Sequence, residues 1–132
     1  MFNLIDNLDE LLEGLAKGTI LPEYQVAIRD ISMTLYRANK IMGEYAEDEK
    51  ENEGNVIAAL RGEIDELEEV MHNNDFGGTA EHLSELIGHC FTWAAHRKTN
   101  IAAGLIYIAL KYLTKVPAEH RKYCATGEKT NE

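Results

Sequence analysis

Apolar side chains recur at helical spacing along most of the chain, and no segment alternates as a strand would. Leu4, Ile5, Leu8, Leu11, Leu12 and Leu15 form the first stripe. Residues of a helix turn by about 100° per step, so positions three and four apart share a face. This predicts a first helix over residues 3–16, ending near Gly18. Pro22 suits the opening turn of a second helix that reaches Ala46, with Val26, Ile28, Ile31, Leu35 and Ile41 turned inward. The acidic run from Glu47 to Glu53, closed by Gly54, reads as a solvated connection. Asn55 is a natural N-cap for a third helix stopping near Asn73, and the turn-rich residues 73–78 follow it. Thr79 then caps a fourth helix to His96, and Asn100 a fifth to about Leu113. Pro117 opens a last short turn, and the tail from Thr126 is expected to fray. The expected architecture is all-α: a compact bundle of about five helices in a single domain over 1–132. Its core spans about 22–115, with the first helix added at the N-terminus.

Composition narrows the function. A chain of 132 residues builds one core but not two. At 45% hydrophobic it is too apolar for disorder. A net charge of −10 argues against a nucleic-acid groove, which needs clustered Lys and Arg to neutralise phosphates. An acidic chain still binds a nucleotide if metal ions bridge the two. Cys90 and Cys124 suggest no disulfide framework, and Cys90 reads as a small core residue. The most apolar stretch, Ile101 to Leu113, is too short to cross a bilayer, and no leader pattern opens the chain, so a cytoplasmic protein is expected.

Two carboxylates break the apolar pattern of the third helix. Val56, Leu60, Ile64, Leu67 and Met71 define its inward stripe. Glu63 falls inside that stripe, between Val56, Leu60, Leu67 and Val70, and Glu66 lies at its border beside Ala59. Asp65, Glu68 and Glu69 project away. A buried carboxylate is costly unless it is paired or holds a metal, so a cationic partner is expected beside Glu63. On the fourth helix Leu83, Leu86, Ile87, Cys90 and Ala94 are expected in the core, with His82, Glu85, His89, Trp93 and His96 forming a second stripe beside them. A short connection favours antiparallel packing, which brings Glu63 and Glu66 to His82 and Glu85. Such a cluster repels itself unless a divalent metal resolves the conflict.

These segments resemble the MazG-like family of all-α nucleoside triphosphate pyrophosphohydrolases, which includes dimeric dUTPases and dCTP pyrophosphatases. Gly62-Glu-Ile-Asp-Glu-Leu-Glu-Glu69 resembles the family's G-E-x-x-E-L-x-E, and Glu81-His-Leu-Ser-Glu-Leu-Ile87 resembles E-E-L-x-D-x-L. The likeness covers residues 55–97. It implies that Glu63, Glu66 and Glu85 are metal ligands, with Mg²⁺ as the cofactor and Glu63 or Glu66 also orienting the attacking water. It further implies a homodimer or homotetramer that splits a nucleoside triphosphate into monophosphate and pyrophosphate by attack on the α-phosphorus. His82 stands where the family has Glu; as a fourth ligand its imidazole shifts preference towards Mn²⁺. The family's phosphate-holding Lys and Asn have no like pattern in residues 101–110, and Lys111 is the nearest candidate. Trp93, Tyr36 and Tyr45 are candidates for stacking on a base, against the simpler reading of core packing.

Two rival functions are compatible with the same residues. One is a catalytically silent relative that acts as a binding or regulatory module. The other is a transition-metal helical bundle using His82, Glu85 and His89. Glu69-Val-Met-His72 has the E-x-x-H spacing of such bundles but points outward.

Overall fold

The computed structural model describes residues 22–126, and every regular element among them is helical. Helix α1 is Pro22–Ile41, α2 is Glu49–His72, α3 is Phe76–His96 and α4 is Ile101–Lys115. A 3-10 turn at Ala118–His120 leads into α5, Arg121–Thr126. The fold is all-α, as the periodicity predicts. The expected helix over 3–16 and the tail beyond Thr126 lie outside the described residues. The described residues divide into two compact units: Ile28–Asn100, and residues 22–27 together with 101–126.

Helix ends differ from expectation for local reasons. Helix α1 stops at Ile41 rather than Ala46, because Gly43 adopts φ 74°. The Gly43 N–H donates to the Lys40 carbonyl and the Glu44 N–H to that of Asn39, which satisfies carbonyls that a helix end would otherwise strand. Helix α2 begins at Glu49, so most of the acidic run is helical rather than a solvated connection, and Asn55 lies inside the helix. The Asp48 carboxylate caps the Lys50 N–H, and Glu49 and Glu51 sit in the first turn, where the helix dipole favours negative charge. Helix α3 begins at Phe76, capped by Asp75 through the Gly78 N–H. Thr79 is therefore not the cap; its hydroxyl donates to the Asp75 carbonyl.

Within the Ile28–Asn100 unit, α2 and α3 pack along one another across a connection of only Asn73–Asp75. Glu63 meets His82 and Glu49 meets His96, the register of an antiparallel pair. Val56, Ala59, Leu60, Glu63, Leu67 and Val70 are half-buried and Asn52 is buried. Ile64 and Met71, expected inward, are 50% and 56% exposed, so the packed stripe is rotated and Glu63 lies well inside it. The correction on α3 is larger. Leu83, Ile87 and Cys90, expected in the core, are exposed, whereas His82, His89, Trp93 and His96 are half-buried. Contacts from His82 and His96 to carboxylates of α2 hold the histidine stripe inward and turn the neighbouring stripe to solvent. Leu86 and Ala94 keep their expected inward places.

The segment between α1 and α2 is held by Asn52. Its amide accepts from the Ala46 N–H at 2.8 Å and donates to the Ala46 carbonyl at 2.9 Å. In the other unit, Ala102, Leu110 and Leu113 of α4 are buried. Arg121 donates to the Val116 and Thr114 carbonyls at the end of that helix. No helix among the described residues is long and apolar enough to cross a membrane.

Candidate metal centre

Glu63 is the hub of the α2–α3 interface. Its side chain is 12% exposed although it carries a charge. His82 Nδ1 lies 3.0 Å from Glu63 Oε2 and 3.1 Å from Glu66 Oε2, so one imidazole N–H faces two carboxylates. Carboxylates only accept, so the nitrogen donates. On the other side of Glu63, His89 Nε2 lies 3.9 Å from Oε1. The sequence pattern predicted the meeting of Glu63, Glu66, His82 and Glu85, and the structure brings all four together with His89. Glu66 is 59% exposed at the border of the stripe, and Glu85 is also exposed.

The electrostatics follow from this geometry. The hydrogen bond from His82 holds the Glu63 carboxylate below its ordinary pKa, and the bond shared with Glu85 adds to the effect. The same contact with Glu63 raises the His82 imidazole. Glu85 is raised, first by its hydrogen bond to Glu63 and then by the negative charge there, so of the two acids Glu85 is the one that keeps its proton longer. The imidazole of His82 and the proton favoured on Glu85 both reduce the repulsion among the three carboxylates. The donor atoms of Glu63, Glu66 and His82 lie within 4.8 Å of one another, as do those of Glu63, Glu85 and His89. These are oxygen and nitrogen donors of the kind that hold divalent cations.

A second constellation lies further along the same interface. His96 Nε2 donates to Glu49 Oε1 at 2.7 Å, and Arg97 lies 3.7 Å from the other oxygen of that carboxylate. The hydrogen bond from His96 lowers the Glu49 pKa. Tyr45 stacks on His96 at 4.5 Å between centroids, with Trp93 at 5.1 Å and Tyr36 at 5.8 Å. Burial raises the Tyr45 phenol. A cavity of about 140 Å³ opens beside this group, lined in part by Tyr45, Trp93, Asn39, Asn55, Thr92 and His89. His89 thus belongs to both the carboxylate cluster and the cavity wall.

The expected base-stacking candidates separate. Trp93 and Tyr45 line the cavity, whereas Tyr36 packs behind them against Tyr45 and His96. Lys111 is exposed on α4, in the other unit. Glu49 and Asn52 are not among the residues that the apolar pattern singles out, because like charges in an acidic run suggest coil; Asp48 followed by acids in a first turn is the signal that places them on a helix. Compared with protein-family models, curated proteins and solved structures, the chain matches none.

Proposed function

We propose that this protein is a metal-dependent nucleoside triphosphate pyrophosphohydrolase, with its centre at the α2–α3 interface. The observation that carries the proposal is Glu63: a carboxylate largely removed from water that gathers two further carboxylates and two imidazoles around it. Desolvating an acid is costly, and a divalent cation offsets that cost while providing a docking point for phosphates. Glu63, Glu66 and Glu85 supply the oxygen donors that Mg²⁺ prefers, and the nitrogens of His82 and His89 extend the fit to Mn²⁺. Such ions, when bound, neutralise the triphosphate and lower the pKa of water.

The protein groups divide the remaining work. A carboxylate at Glu63 or Glu66 accepts a proton from the attacking water as its oxygen bonds to the α-phosphorus. The bond from that phosphorus to the bridging oxygen breaks, pyrophosphate leaves, and the monophosphate keeps the new oxygen. The cavity beside His89 is smaller than the ~300–1,000 Å³ typical of drug-sized ligands, which suits one ring of a nucleotide stacked against Trp93 or Tyr45. The proposal includes a homodimer or homotetramer. Ile57, Ile64 and Met71 recur at heptad spacing on α2 and are exposed, as are Leu83 and Ile87 on α3.

The test is pyrophosphate release from each nucleoside triphosphate with Mg²⁺ or Mn²⁺. Glu63→Gln is expected to lower turnover by at least about 100-fold with the fold intact. A folded wild-type protein that releases no pyrophosphate from any of them defeats the proposal. One observation favours a second reading, a catalytically silent binding module. His82 already spans Glu63 and Glu66, where the resemblance places a carboxylate. His82→Glu distinguishes the two: it strengthens Mg²⁺ dependence in an enzyme and leaves a silent module inactive.

A further inference from the structure

Helix α4 is apolar on more than one face. Ala102, Leu110 and Leu113 are buried. Ile101, Leu105, Ile108 and Tyr112 form a separate row at i, i+4, i+7 and i+11. Ile101 is half-buried, but Leu105, Ile108 and Tyr112 are 46%, 50% and 64% exposed. A helix that is apolar all round is normally covered on every side, and a contiguous apolar row left in water marks a contact surface. We infer that this face of α4 is a docking surface for an acidic amphipathic helix of a partner protein. The inference draws on α4 alone and is independent of the cation centre and of the proposed activity.

Charge selects the occupant. The chain has 23 acidic residues against 13 Lys and Arg, yet no acid falls within α4. Its charged residues are Lys111 and Lys115, three and seven positions beyond Ile108, so both border the apolar row. Both are exposed, and neither has an ion-pair partner among the described residues. The Lys115 ammonium lies 5.4 Å from the centre of the Tyr112 ring, which draws that cation towards the row. An amphipathic helix with acidic flanks matches both features: its apolar face covers the row and its carboxylates meet the two lysines. From Ile101 to Tyr112 the row rises about 16 Å, three turns of such a partner. Other occupants fit less well. A second copy of α4 would bring the lysines of both chains together with no carboxylate from either helix. An anionic lipid surface attracts the two lysines but repels a chain whose net charge is −10.

The probe is a synthetic peptide of about 16 residues, with Leu along one helical face and Glu on the rest. Its control is a scrambled peptide of the same composition without an apolar face. Fluorescence anisotropy with the full chain is expected to show binding of the patterned peptide, weakened by added salt, and at least about tenfold weaker binding of the scrambled one. Lys111→Glu with Lys115→Glu leaves the apolar row intact and should weaken the patterned peptide about tenfold. Leu105→Ser with Ile108→Ser keeps both lysines and should weaken it by a similar factor, about tenfold, with far-UV circular dichroism unchanged. The inference is overturned if the patterned peptide does not bind, if the scrambled peptide binds equally, or if either double variant leaves the affinity as it was. Another occupant of the face overturns it too. Anionic phospholipid vesicles that bind the wild type but not the Leu105→Ser, Ile108→Ser variant would place a lipid surface there. A light-scattering mass that the same variant lowers would place a second copy there. All of these readings are taken without metal or nucleotide, so their failure leaves the proposed activity untouched.

Discussion

At the scale of single residues, the Glu63 cluster makes the metal-free protein respond to pH in a defined direction. The His82 imidazole is raised above its ordinary value of 6.5 by the hydrogen bond to Glu63. Its attraction to the carboxylates is therefore present in full below about pH 6.5 and is lost as pH rises through the raised midpoint. Glu63, lowered from 4.5, contributes above that value and loses its contribution as pH falls through its lowered midpoint. Glu85, raised from 4.5, behaves in the opposite sense: its shared proton stabilises at low pH and is lost as pH rises. In an NMR titration of the metal-free chain, His82 should titrate above 6.5, and Glu63→Gln should bring its midpoint down. A His82 midpoint that Glu63→Gln leaves unchanged would show that the contact is not formed in solution.

Elements are bounded by backbone chemistry that makes predictions of its own. Helices α1, α2 and α3 all end with a residue at positive φ: Gly43, Asn74 and Lys98. At the end of α3 the Lys98 N–H donates to the Ala95 carbonyl and the Thr99 N–H to that of Ala94. Gly and Asn tolerate this left-handed conformation; a lysine is strained in it. Lys98→Gly should stabilise the fold by about 1 kcal/mol in denaturant unfolding. Gly78→Ala should do the opposite. A Cβ there would sit 2.6 Å from Asp75 Oδ2 and 3.0 Å from Val70 Cγ1, displacing the carboxylate that caps α3. The lost cap alone costs about 1 kcal/mol. Asn52→Ala removes both partners of the Ala46 peptide and should cost about 2–3 kcal/mol. Because Tyr45 adjoins Ala46, that variant should also loosen the cavity wall, seen as altered tyrosine fluorescence.

For the whole molecule, exposed apolar rows on α2 and α3 predict self-association. Light scattering should give a mass of at least two chains, and Ile64→Lys with Ile87→Lys should reduce it while far-UV circular dichroism stays helical. A monomeric wild type would remove the oligomer from the proposed function without touching the metal centre.

Helical character and the misplaced acid could be read from the chain because both are local. Periodicity reports which positions share a face, and Glu63 interrupts an apolar stripe whichever partner covers it. Which face of α3 turns inward could not be read in that way. Leu83, Ile87 and Cys90 compete on that helix with His82, His89 and His96, and hydrophobicity alone ranks the first set as core. Packing reversed the order, since pairing His82 with Glu63 and His96 with Glu49 depends on residues 19 and 47 positions away. The start of α2 was decided by a carboxylate cap and a helix dipole acting on a run of acids that, as a chain, only repels itself. Sequence thus determined the helical character of the described segments and the anomalous acid, though not where each helix begins and ends. Tertiary structure alone decided that Glu63 carries an imidazole on each side, because that depends on the register and rotation of two helices about their common interface.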